Sequence, residues 1–130
     1  VSRMMVLPRP LQVHQAFRSV KLIEQGTPLL RRLFQETTRL AATELTASRL
    51  AKELNVSERT LSRHIHKDTG ETLSKFTRRI KLAQLAERLS ETSRSPTDIS
   101  EELGFSSESN MRRMFKAETD MTISEYRKEY

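Results

Sequence analysis

The sequence predicts an all-α fold in which two copies of one helical unit are joined by a long connecting helix, and three observations carry that prediction. Only three glycines and four prolines stand in 130 residues, so little in the chain interrupts a helix. Serines and threonines precede most of the apolar-periodic segments, where a side-chain oxygen can accept from an unpaired backbone N–H. Finally, the stretch from Leu50 to Phe76 can be laid over that from Ile99 to Tyr126 as an internal repeat.

The elements follow in order. Leu11 to Gln25 carries Val13, Phe17, Val20 and Ile23 at helical spacing, and Gly26 can end that helix in a left-handed conformation. Its apolar side offers a dimerisation surface or a face for its own domain. Thr27, Thr46, Ser57, Thr72, Ser95, Ser106 and Thr122 then cap seven further helices. Pro28 and Pro96 suit the first helical position, where a missing N–H costs nothing. Ser95 with Asp98, and Thr122 with Glu125, have the spacing of capping boxes. The first capped helix is expected over Thr27 to Thr43, with Leu29, Leu30, Leu33 and Phe34 facing a core.

The repeat places a leucine, a left-handed-prone residue, an apolar anchor and a serine cap in the same order twice. These are Leu54, Asn55, Val56 and Ser57, then Leu103, Gly104, Phe105 and Ser106. A helix, a tight turn and a second capped helix make a helix-turn-helix. One extra residue after Ser106 brings Leu61 over Met111, Arg63 over Arg113, Ile65 over Phe115, and Phe76 over Tyr126. Between the copies, Leu73, Phe76, Ile80 and Ala83 form one apolar stripe and Leu82, Leu85 and Leu89 a second. The connecting helix can therefore serve both units. At about 17 residues it is roughly 25 Å long, comparable with a DNA turn of about 34 Å.

A net charge of +6 predicts attraction to polyanions, either nucleic acid or an anionic membrane surface. No cysteine is present, which excludes a disulfide framework and a thiolate nucleophile. The apolar runs are too short for a signal sequence or membrane span, so a cytoplasmic protein is expected. The start at Val1, with Met4 and Met5 just inside, suggests a piece of a longer protein.

The second helix of each unit separates its side chains by chemistry. Leu61 and Ile65 oppose Arg59, Ser62, Arg63 and His66; Met111, Met114 and Phe115 oppose Ser109, Arg112, Arg113 and Lys116. Arginine can grip guanine O6 and N7 together, and serine can donate or accept at a base edge. A cationic helix face can equally be a solvated surface, but its repetition at matched positions favours a major-groove reader. Thr46, Thr60, His66, Lys67, Arg78, Arg79, Lys81, Lys116 and Arg127 lie on flanks and helix ends and are expected at phosphates, with Lys128 beside them. The helix starts at Thr46 and Ser95 can also direct backbone N–H groups at phosphates.

Catalytic readings find no footing. His64 and His66 fall on different sides of a helix, His14 is remote, and neither a glycine-rich phosphate loop nor a Gly-x-Ser-x-Gly motif occurs. Glu101 and Glu102 read as a solvated pair, and the methionines as core filler. No cofactor or metal is expected.

In VSERTLSRHIHKDTG and DISEELGFSSESNMRRMFKAETDMTISEYR the chain resembles the AraC/XylS family of bacterial transcription regulators. Gly104-Phe105-Ser106, Phe115-Lys116 and Tyr126-Arg127 match the family's turn, recognition helix and closing helix. The resemblance implies a homeodomain-like AraC-type domain over residues 27–130, divided into a first unit (27–72), a connecting helix (73–91) and a second unit (92–130). Residues 1–26 would be a linker or the remnant of a partner domain. It implies that Arg59, Ser62 and Arg63, with Ser109, Asn110, Arg112 and Arg113, read bases in successive major grooves of promoter DNA. It also implies activation through RNA polymerase. The family's common β-rich sensing domain has no counterpart in residues 1–44. Asn110-Met111 replaces a usual aromatic pair, Thr119-Asp120 a usual Phe-Gly, Ile123 a usual proline and Leu85 a common alanine. A rival reading keeps the fold but turns its basic faces to an acidic protein, as an adaptor or antagonist would.

Overall fold

The computed structural model describes residues 26–130. The expected helix and dimerisation surface at Leu11 to Gln25 lie outside the described residues. Within them the chain forms α1 (Pro28–Arg39), a 3-10 turn (Ala42–Glu44), α2 (Ala47–Leu54), α3 (Glu58–Thr69), α4 (Leu73–Glu91), α5 (Pro96–Leu103), α6 (Glu108–Thr119) and α7 (Ile123–Glu129). The described chain contains no strand.

Thr27, Thr46, Ser57, Thr72, Ser95 and Thr122 each accept a backbone N–H from the residue three positions on, as expected. The cap of α6 is Ser107 rather than Ser106. Its hydroxyl accepts from Asn110 N at 2.9 Å. Met111 is fully buried and must stand four residues after the cap, as Leu61 stands after Ser57, so Ser106 is the extra residue in the turn. Thr122 and Glu125 form a complete capping box. Ser95 accepts from Asp98, and no return bond completes a box there. The aspartate arm is one methylene shorter than the glutamate that usually closes the motif. Helix α1 also ends earlier than Thr43, because Leu40 turns to extended backbone and is buried.

Both tight turns adopt the left-handed conformation, with φ of 57° at Asn55 and 74° at Gly104. Val56 N bonds Ala51 O at 3.0 Å, and Phe105 N bonds Ser100 O at 3.1 Å, which occupies helix-end carbonyls in the same way in each unit. Asp120, which stands where the resembled family usually has glycine, takes a left-handed φ of 59°.

Two apolar cores result. The first gathers Leu30, Leu33, Leu50, Leu54, Leu61 and Ile65, and the second Ile99, Leu103, Phe105, Met111, Phe115 and Tyr126. Helix α4 belongs to both. Leu73, Phe76 and Ile80 enter the first core, while Leu82, Leu85, Ala86 and Leu89 enter the second. Two residues along a helix turn about 200°, so the step from Ile80 to Leu82 moves the apolar side across the axis. Ala83, expected in the first stripe, is only half-buried. Each fully buried leucine or phenylalanine contributes about 1.5–3 kcal/mol.

The units also meet directly. Thr43 N donates to Gly104 O at 3.0 Å, and a Cβ at Gly104 would lie 2.2 Å from the Cβ of Ala41. Glycine is thus required at this turn for close approach as well as for its φ. Asn55, in the equivalent turn, has no such seat to fill.

Candidate nucleic-acid interface

Capped by Ser57, α3 inserts Leu61 and Ile65 into the first core and turns Arg59, Ser62, Arg63 and His66 outward, all of them exposed. The stripe of donors expected from the 3.6-residue period is therefore one continuous surface. Thr60 is half-buried in the first turn, where its hydroxyl oxygen accepts from Ser57 Oγ at 2.8 Å. Lys67 is exposed at the end of the helix.

On α6, Met111 and Phe115 are fully buried and Met114 packs partly against the same core. Ser109, Arg113 and Lys116 are exposed, while Asn110 and Arg112 are half-buried. The polar side chains here are tied to one another. Arg112 Nε donates to Glu108 Oε2 at 2.8 Å, and Thr97 Oγ1 donates to Glu108 Oε1 at 2.5 Å. These two bonds, Thr97's first, hold the Glu108 carboxyl below its ordinary pKa. Arg113 Nη2 donates to Asn110 Oδ1 at 2.8 Å, and Asn110 Nδ2 donates to Ser106 Oγ at 2.9 Å. The second stripe is thus pre-oriented by acceptors on its own helix and turn. The i, i+4 spacing of Glu108 and Arg112 is the sequence signal for the first tether, one that the reading of the cationic faces does not single out. Thr97 reaches across from α5 with no local signal.

The residues expected at phosphates divide. Thr46 is exposed at the start of α2, and Arg78 is exposed on α4. Arg78 borders a cleft of about 160 Å³ that Ala42, Leu45, Ser74, Lys81 and Met114 also line, where the two units and α4 meet. That volume is below the roughly 300 Å³ of a usual small-molecule site. Lys116 is exposed and donates to Asp120 O at 3.3 Å.

Three cations are placed otherwise than the sequence suggested. Lys81 is 1% exposed and donates from Nζ to Leu40 O at 2.6 Å, and more distantly to Thr38 O at 3.4 Å. Gln84 Nε2 joins it on Thr38 O at 3.2 Å. Lys81 therefore satisfies the open carbonyls at the end of α1 instead of facing a ligand. Burial, followed by the charge of Arg88, pushes its pKa down to about 8. Arg127 donates to the carbonyls of Leu89 at 3.0 Å, Arg94 at 2.6 Å and Thr92 at 3.1 Å, and so closes the C-terminal end of α4. Arg79 is largely covered and pairs with Glu71 and Glu118. Alternation of charge in sequence does not reveal such inward engagement, because apart from Glu71 the acceptors lie far along the chain.

Among the described residues no cluster of histidine and carboxylate side chains is arranged to hold a metal ion, and no helix is long and apolar enough to cross a membrane. The exposed arginine, serine and histidine side chains of α3, and those of α6, form two cationic ridges on repeated supports.

Comparison with known proteins gives a helix-turn-helix domain family whose profile matches residues 50–129. A second helix-turn-helix profile matches residues 32–67. No curated protein matches the chain. Among solved structures, the chain is similar to the C-terminal domain of AraT, a response regulator from Geobacillus stearothermophilus. The identity is 26%, the TM-score 0.71, and the match covers 82% of this chain and 88% of that one. A transcriptional regulator from Chromobacterium violaceum, described as containing an AraC-type DNA-binding domain, shares the fold at 24% identity and a TM-score of 0.70. That match covers 78% of this chain and 91% of the other.

Proposed function

The chain belongs to the AraC-type helix-turn-helix family, and from that premise we propose that it is a sequence-specific reader of double-stranded promoter DNA. The carrying observation is the repetition of one outward donor stripe, Arg59, Ser62, Arg63 and His66 on α3, all exposed, and Ser109, Arg113 and Lys116, exposed, with the half-buried Arg112 on α6. Helix α3 and helix α6 act as the recognition helices and enter successive major grooves. Arg59, Ser62, Arg63, Ser109, Asn110, Arg112 and Arg113 contact bases. Thr46, Thr60, His66, Lys67, Arg78 and Lys116 contact phosphates; Lys81, Arg79 and Arg127 are left out because their charges are engaged within the fold.

The arginine and serine donors of both ridges, suited to base edges and phosphates, support a DNA partner over an acidic protein. We assign no catalysis to the chain. Its regulatory action is activation through RNA polymerase in the bacterial cytoplasm, a reading supported by the family alone.

Selection of bound sites from random duplexes tests this function. The expected result is a site with two conserved elements about one helical turn apart, bound with a steep dependence on salt. Retention of every duplex alike, together with tight binding to an acidic protein, would overturn it in favour of the adaptor reading.

A further inference from the structure

We infer that Arg79 is a positioning residue that sets the spacing between the two recognition helices, an inference that rests on the DNA-reading function proposed above. Arg79 stands in α4 with its side chain 19% exposed, and its two partners are each 16% exposed. Glu71 lies in the turn that follows α3, two residues after Thr69, and Glu118 lies in the last turn of α6. One guanidinium therefore holds the C-terminal ends of both recognition helices to the helix that joins them.

The two arms differ. Nη2 of Arg79 is in close contact with Glu71 Oε1, whereas Nε is 3.7 Å from Glu118 Oε2. At that separation the second arm is electrostatic, and Nε has no hydrogen-bond partner. Because the three groups are mostly shielded from water, their attraction is screened less than that of a surface pair. Two carboxylates share one cation. When that cation is removed, Glu71 and Glu118 face each other as like charges, and the ends of α3 and α6 are pushed apart.

The consequence for reading is geometric. Adding one base pair moves a DNA element by about 3.4 Å along the axis and rotates it about 35°. Recognition helices held at a fixed separation tolerate one spacing of their two elements and penalise its neighbours. Helices released from a common tether accept several. The Gly104 seat holds the start of α6, and the Arg79 link adds an ionic tie at the far ends of α3 and α6.

The test uses the duplex recovered by random selection and two derivatives in which one base pair is inserted or removed between its elements. The native chain is expected to lose affinity by about tenfold for either change. Arg79→Gln and Glu118→Gln are each expected to reduce that loss to about threefold or less, with the base preferences within each element kept. Glu118→Gln leaves the pair of Arg79 with Glu71 in place, so it decides the matter if Arg79→Gln lowers thermal unfolding too far for binding to be measured. Arg79→Lys, which keeps the charge, is expected to restore part of the spacing penalty. An unchanged penalty in a folded Glu118→Gln chain, or an equal loss of affinity at all spacings, overturns the positioning role while leaving the DNA-reading function intact. A native chain that selects a single element overturns it as well. A native chain that selects no sequence at all removes the function proposed above.

Discussion

Thr43 donates its backbone N–H to the carbonyl of Gly104 at 3.0 Å, joining a turn of the first unit to the turn that precedes α6. The contact is made backbone to backbone, with Ala41 against the Cα of Gly104.

Gly104→Ala is expected to destabilise the chain by about 2–4 kcal/mol. The left-handed φ accounts for about 1–2 kcal/mol and the collision with Ala41 for most of the remainder. Asn55→Gly, at a similar φ without the collision, is expected to change stability by less than about 1 kcal/mol. Urea unfolding measures both variants; a Gly104→Ala loss of only about 1–2 kcal/mol, the φ contribution alone, would show that the seat against Ala41 yields without cost.

Ser107→Ala is expected to cost about 1 kcal/mol through loss of the α6 cap, whereas Ser106→Ala removes only an exposed bond to Asn110 and is expected to cost less than about 0.5 kcal/mol. Thermal unfolding distinguishes these, and the reverse order would return the cap to Ser106.

Lys81 makes stability depend on pH with a definite sign. Its folded pKa of about 8 lies below the unfolded value of 10.5, so between those values the unfolded chain binds more protons than the folded one. Stability from this group therefore rises with pH across that window. The gain from pH 8 to 9.5 is expected to be about 1–2 kcal/mol. Lys81→Met should be less stable throughout, because Leu40 O loses its donor, and should lack this increment. Urea unfolding at the two pH values gives the comparison, and a constant difference between native and variant chains would refute the linkage. Burial raises Tyr126 to about 12, which opposes the trend above pH 10, so the measurement belongs below that point.

Arg63→Ala and Arg113→Ala are each expected to relax one base position by about 1–3 kcal/mol in competition binding. Lys67→Ala should weaken all sequences alike and lower the salt slope by about 0.9. Asn110→Ala should blunt the same position as Arg113→Ala, since its amide oxygen orients that guanidinium at 2.8 Å. If Arg113→Ala lowers affinity evenly across sequences, Arg113 is a phosphate contact.

Much of this architecture was legible in the sequence because it rests on local chemistry. A hydroxyl before a helix, an apolar residue every third or fourth position, and a left-handed residue between two helices each act within a few bonds of their own place in the chain. Six caps, both turns and the two apolar sides of α4 follow from such signals. The cap at Ser107 was displaced by one residue because two serines are adjacent and only the burial of Met111 chooses between them. Lys81 and Arg127, expected at phosphates, turn to carbonyls for a different reason. Lys81 meets a carbonyl 41 positions away, and Arg127 meets carbonyls 33 and 38 positions away. Nothing near a basic residue in sequence announces a distant acceptor. The same limit applies to Thr97 on Glu108, which fixes Arg112 from a neighbouring helix.

The division of α4 between two cores has a further consequence, for the exchange of parts. Leu73, Phe76 and Ile80 roof one half of the molecule, and Leu82, Leu85 and Leu89 the other, within a single 19-residue helix. Neither half can be lifted out whole. A graft that transplants one specificity into another scaffold must bring a stretch of helix whose opposite side was shaped for the neighbour left behind, so the smallest portable piece is the pair.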